Sequence, residues 1–228
     1  MATPRQAARE QMMLDIVRVG RTHLERGMPS ELSLRAVARD LGVVPSALYR
    51  YVRNREDLLT LLIVDAYDAL GDAVDAAVTA VAPDDHLGRL EAIAGAARSW
   101  AVAEPSRFAL LYGTPVPGYT APGERTVGPG TRVMRAIAAV LEDAYLAGAL
   151  RPLEVTLSRT LQADMERLGS GADLTMPPVL LARVYGLWSA VLGAILYEIF
   201  DQHGPDTVSD PAEFFATHVR GLATTVGL

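Results

Sequence analysis

The feature that most constrains this chain is the spacing of its apolar residues. From Met13 to Val226 they recur three and four positions apart, glycine and proline punctuate the pattern, and period-two alternation is nowhere sustained. Such a text predicts an all-α protein. Met13, Ile16, Val17, Gly20 and Leu24 form one face of a first helix that ends near Gly27, with Pro29 just beyond. Leu34, Val37, Ala38 and Leu41 mark a short second helix stopped by Gly42, and a third begins at Pro45 and runs through Leu48 to Val52. Asn54 caps a long fourth, with Glu56 and Asp57 on its positive first turn, that continues until Pro83. Asp84 or Asp85 caps a fifth to about Ala103, and Pro105 opens a sixth to about Tyr112. Residues 113–130 read as a Pro/Gly-rich loop, followed by helices over 131–147 and 153–168, the second patterned by Leu153, Leu157, Leu161, Met165 and Leu168. Residues 179–200 and 211–226 complete the set.

Composition removes several functions. With no cysteine, thiol catalysis, disulfide scaffolds and cysteine zinc sites are excluded, and His23, His86, His203 and His218 show no metal-ligand spacing. No nucleophile elbow or phosphate-binding glycine loop is present, so no catalytic residue, cofactor or metal is expected. The competing class is a helical small-molecule carrier or enzyme without a DNA function. The longest apolar stretch, 184–200, is interrupted by Glu198 and is shorter than the roughly 20 residues of a bilayer span. The N-terminus lacks the order of a signal peptide. The expectation is a cytoplasmic protein with no membrane partner.

The net charge of −6 argues at first against a nucleic-acid partner, but it is an average. Residues 1–60 hold 10 arginines against 7 acids, whereas the remainder holds 11 against 20. Within the basic part, two short helices joined at Gly42 form a helix-turn-helix, whose second helix suits the DNA major groove. Leu48 and Val52, four apart, hold that helix to the core and turn Ser46, Ala47, Tyr49, Arg50 and Tyr51 outward. Arg35, Arg53 and Arg55 supply sequence-independent attraction, and Arg50 is placed to donate two hydrogen bonds to a guanine edge.

The run Leu41-Gly-Val-x-x-x-x-Leu-Tyr-x-x-Val-x-Asn-Arg-x-x-Leu58 resembles the signature of the TetR family of transcriptional regulators, closely over residues 5–65 and loosely beyond. The resemblance implies that Arg35 and Tyr49 touch DNA and that Arg55 meets a phosphate. By the same likeness Ser46, Ala47, Arg50 and Tyr51 lie along base edges or sugars, with Ser33, Pro45 and Arg53 completing the DNA-facing set. Two departures stand out. Val44 replaces the hydroxyl that commonly caps the recognition helix, where Pro45 compensates by lacking the N–H that needs a cap, and Arg55 replaces the usual lysine. Residues 104–119, Glu-Pro-Ser-Arg-Phe-Ala-Leu-Leu-Tyr-Gly-Thr-Pro-Val-Pro-Gly-Tyr, look like a segment common in C-terminal domains of actinobacterial TetR-like proteins.

The resemblance therefore implies a three-helix DNA-binding domain over 1–55 and a larger ligand-binding and dimerisation domain over 56–228. The implied function is that of a repressor released from a palindromic operator by a small hydrophobic effector. Trp100, Phe108, Tyr112, Met134, Tyr145, Met165 and Trp188 are the expected lining of the effector cavity, with 113–130 over its entrance. Residues 179–200 are apolar on more than one face, which predicts core on one side and a partner copy on the other. Leu187, Val191, Ile195, Phe214, Val219 and Leu222 are the expected contacts of that homodimer.

Overall fold

Proline and capping residues set the helix starts. In a computed structural model describing residues 3–152, 155–204 and 206–228, five helices carry proline at their first positions, where a missing N–H costs nothing. They are α1 (Pro4–Arg26), α3 (Pro45–Leu48), α6 (Pro105–Tyr112), α10 (Pro178–Ile199) and α11 (Pro211–Thr225). Between them lie α2 (Leu34–Asp40), α4 (Arg55–Thr79), α5 (His86–Ala103), α7 (Gly123–Gly130), α8 (Arg132–Leu146) and α9 (Arg159–Gly171). No strand occurs among the described residues, so the fold is all-α. Asn54 caps α4 through Asp57 N–H at 2.8 Å, and Asp85 caps α5 through Gly88 N–H at 2.8 Å.

Three elements depart from the sequence expectation. The recognition helix closes at Leu48 rather than Val52, because Arg50 and Tyr51 N–H turn to the carbonyls three residues back, tightening the last turn. The ninth helix starts later than 153 because the Ser158 hydroxyl accepts Leu161 N–H and fixes the N-cap there; Leu153 lies outside the described residues. Residues 123–130, read as loop, form α7 despite three glycines and Pro129.

The chain divides into two compact units. Met1–Ala69 and Glu104–Gly130 form the first, Leu70–Ala103 and Thr131–Leu228 the second. The boundary cuts α4 in its middle and returns α6 and α7 to the helix-turn-helix. The first unit's core gathers Ile16 and Leu24 of α1, Val37 of α2, Leu48 of α3 and Leu58, Leu59 and Leu62 of α4. Gly20 lets α1 approach α4, since a Cβ there would meet Leu62 at 2.9 Å. Arg21 on α1 and Arg107 on α6 both pair with Asp65 on α4.

The second unit packs α5, α8, α10 and α11 against one another, with α9 on α10. Ile93, Ile137, Leu141, Val184, Leu187, Val191, Ile195 and Val219 are all buried there. A bidentate pair at 2.7 and 2.5 Å joins Arg98 on α5 to Glu198 on α10. Arg132 opens α8 and reaches Asp72 and Asp75 on the second half of α4 across Gly71, where any side chain would strike the guanidinium. Pro178–Ile199 is long and apolar enough by composition to cross a membrane, which revises the shorter span read from 184–200. Its buried stripe packs on α8, α9, α11 and α5, as a core helix does.

Candidate nucleic-acid interface

The turn between α2 and α3 is built from backbone hydrogen bonds. Val43 N–H reaches Ala38 carbonyl and Gly42 N–H reaches Arg39 carbonyl, each at 3.0 Å, with Gly42 at φ +69°. This is a Schellman closure of α2, and its left-handed residue is the reason for a glycine there. Val44 then precedes α3 with no side-chain cap, and Pro45 takes the first helical position, as the departure from the family pattern anticipates.

Leu48 and Val52 are fully buried and fix the recognition helix to the core. Ser46, Tyr49 and Arg50 are exposed beside Pro45, Tyr49 by 48 %. Ala47 and Tyr51 are half-buried instead. Tyr51 leans on the core, with the Arg9 guanidinium 5.8 Å from its ring centre. Ser33 sits at the N-cap of α2 without a side-chain bond to the helix, and Arg35 is exposed two residues on.

The turn into α4 is more constrained. Arg53 is exposed, with its guanidinium 3.7 Å from Asp57. Arg55 is partly buried and donates to Pro29 carbonyl at 3.0 Å, and its Nε is buried without a hydrogen-bond partner among the described residues. Asp57 also accepts from Arg125 on α7 at 2.6 Å. Burial pushes the Asp57 carboxyl up, but the hydrogen bonds from Arg125 and from Arg53 N–H outweigh it and hold the group below its usual range. Arg125 and Asp57 were absent from the DNA-facing residues expected from sequence. The Asn54-x-x-Asp57 spacing marks one of them, while Arg125 carries no local signal.

The seven residues expected around an effector do not gather in one unit. Phe108 is fully buried in the first, 5.0 Å from the Tyr112 ring, which meets Tyr67 edge-on at 6.0 Å. Burial raises the Tyr112 hydroxyl above its ordinary value. In the second unit Met165 and Trp188 are buried, Trp100 and Met134 are half-buried, and Tyr145 is exposed by 41 %. A cleft of about 500 Å³ opens between the end of α10 and the start of α11, lined by Tyr197, Glu198, His203, Phe214, Phe215 and His218 among others. None of the seven lines it. Residues 113–130 pack on the first unit's core through Val116 and Tyr119 and belong to that unit.

The expected dimer contacts differ in burial within the chain. Leu187, Val191, Ile195 and Val219 are buried within the second unit and Leu222 is half-buried, which leaves Phe214 as the exposed member. The stripe of α10 that remains open is Tyr185, Gly186, Ser189, Gly193 and Tyr197, and on α11 it is Phe214, Thr217, His218 and Gly221. Both stripes of α10 are apolar or small in sequence, so periodicity alone did not say which one the chain keeps for itself.

Comparison with known proteins bears on the whole of this arrangement. Residues 90–222 match the family model for the tetracyclin repressor-like C-terminal domain. The chain is 41 % identical over 222 residues to the HTH-type transcriptional regulators Rv1816 of Mycobacterium tuberculosis and Mb1846 of Mycobacterium bovis, covering 97 % of this chain and 95 % of each of them. In three dimensions it is similar to the crystal structure of the regulatory protein SCO4313, with a TM-score of 0.77 and 32 % identity over 97 % of this chain and 100 % of that one. With a helix-turn-helix closed at Gly42 and a helical second unit that matches this family's C-terminal domain, the chain belongs to the TetR family of HTH-type transcriptional regulators.

Proposed function

We propose that this regulator is a homodimeric repressor that holds a palindromic double-stranded DNA operator and releases it when a small hydrophobic effector binds the second unit. The observation that carries the DNA-binding part is the exposure of Tyr49 and Arg50 in the turn that continues α3, between Leu48 and Val52, which are wholly buried. Two copies present two such helices to successive major grooves about 34 Å apart. Arg35 and Arg53 take phosphates, Arg55 meets another through the end of its guanidinium rather than its buried Nε, and Ser33, Pro45 and Ser46 lie alongside. Ala47 and Tyr51, half-buried, shape the surface more than they read it.

The open stripes of α10 and α11 form the subunit interface in this reading, since small residues such as Gly186, Ser189, Gly193 and Gly221 let helices of two copies approach closely. Half-buried Trp100 and Met134, with buried Met165 and Trp188, are the second unit's candidates to face an effector. An effector acts only to the extent that it prefers the released form. The protein works in the cytoplasm, where its operator is, and performs no catalysis.

Binding of an Arg50→Ala variant across a duplex library randomised over one half-site tests base reading. The expected outcome is relaxed preference at one base position, costing about 1–3 kcal/mol there. Equal weakening on every sequence would assign Arg50 to the backbone and count against readout by this residue.

A further inference from the structure

The segment Glu104–Gly130 packs into the DNA-binding unit, and its Arg107, Tyr119 and Arg125 each reach a side chain of α4. Arg107 on α6 is buried and donates to the Asp65 carboxylate at 2.9 Å and to its carbonyl at 3.2 Å. After α6 the chain makes a turn through Pro117 and Gly118. Tyr119 N–H closes on Val116 carbonyl at 3.1 Å, and Gly118 takes φ +74°, the conformation that the third residue of a type II turn requires. The turn lays Val116 and Tyr119 on the core and brings the Tyr119 hydroxyl 2.9 Å from the hydroxyl of Thr60, which is itself buried. Thr60 spends its proton on Glu56 carbonyl at 2.8 Å, so Tyr119 is the donor between them. Arg125 on α7 then reaches Asp57 at 2.6 Å.

Asp57 is where this segment meets the DNA-facing surface. Its N–H is taken by Asn54 Oδ1 at 2.8 Å, and one carboxylate oxygen accepts Arg53 N–H at 3.2 Å. The residue thus ties shut the connection from the recognition helix into α4, the stretch that carries the exposed Arg53. Without Arg125, only the Arg53 guanidinium at 3.7 Å would oppose this negative charge, drawing on a cation meant to receive a phosphate. Paired with Arg125, it keeps its grip on the turn while its charge is balanced from the side away from Arg53 N–H.

We propose that Arg125 is a positioning residue for DNA binding: acting through Asp57, it holds the Arg53–Asn54 turn in the DNA-receiving conformation without itself touching a phosphate. The proposal rests on the DNA-binding reading above. It also accounts for a Pro-Gly turn and a tyrosine at 117–119, which deliver the chain to α7 in register with Asp57.

The test is fluorescence anisotropy of the full chain with a labelled duplex taken from immediately upstream of its own coding sequence. The wild type is compared with R125A, R125K, D57N and R125A/D57N over a range of salt. R125A is expected to bind about five- to tenfold more weakly and R125K to restore most of the affinity. In the D57N background, where the charge that Arg125 balances is gone, R125A is expected to cost less than about twofold. Binding of R125A equal to wild type overturns the proposal. So does an equal loss in both backgrounds with a salt slope lower by about one, the mark of a lost phosphate contact. Should R125A lose its native circular dichroism, R125Q takes its place in the same cycle with the same expected pattern. A wild type that binds no DNA overturns the DNA-binding reading itself, which separates that failure from this one.

Discussion

At Asp57 three influences meet, and their balance decides the chemistry of the first turn of α4. Burial disfavours the charge, while the Arg125 guanidinium and Arg53 N–H favour it and prevail, so the folded chain holds the proton less tightly than the unfolded one. A group lowered in this way contributes stability above its unfolded pKa and loses it as pH falls through the folded value. The stability difference between wild type and D57N, read from urea midpoints, is expected to stay level from pH 8 to about 5 and to shrink below about 4. A difference that grows on acidification would contradict the charge balance described. Gly42 and Asn54 were legible from sequence because a left-handed turn and a helix cap each admit few residue types and act within four positions. Arg125 was not, because its partner lies 68 residues away and nothing local records it.

Among the elements, α10 shows most clearly what periodicity can and cannot carry. Its length and its double apolar stripe were readable, as was the need for a second covering surface. Which stripe the chain buries depends on the shapes of α5, α8, α9 and α11, and those are set by tertiary packing. Leu187, Val191 and Ile195 turned inward, and the smaller Gly186, Ser189 and Gly193 turned out. The two stripes should respond differently to substitution. L187A is expected to destabilise the fold by about 2–5 kcal/mol through the cavity it leaves, whereas G193R should leave the thermal midpoint nearly unchanged and dissociate the proposed dimer in sedimentation equilibrium. A G193R protein that remains dimeric would move the interface away from this face. Helix α7 escaped the sequence reading because Gly123, Gly128, Pro129 and Gly130 all argue against a helix. Its beginning is instead held by Arg125 and Thr126 N–H on Pro122 carbonyl and by the Arg125 pair with Asp57.

Over the whole molecule, charge and connectivity fit a division of labour between the two units. The basic excess of residues 1–60 is not all available to a ligand, since Arg21 is committed to Asp65 and Arg55 in part to Pro29, while Arg35, Arg50 and Arg53 remain exposed. The chain passes between the units at three places, within α4, before α6 and after α7, so a change in the second unit has three covalent routes into the first. Composition hinted at the charge asymmetry, but not at the return of 104–130 to the DNA-binding unit, a segment whose Leu110, Val116 and Tyr119 pack on a core assembled from residues far away in sequence. That division requires above all that the exposed arginines and Tyr49 of the first unit bind DNA. The association constant of the full chain for its own upstream duplex, measured from about 50 to 300 mM salt, puts this to the test. The expected result is a linear fall of log K with log salt, with a slope of several units that is common to specific and unrelated duplexes in its electrostatic part. An association that is undetectable at about 50 mM salt, or unchanged across that range, would contradict it.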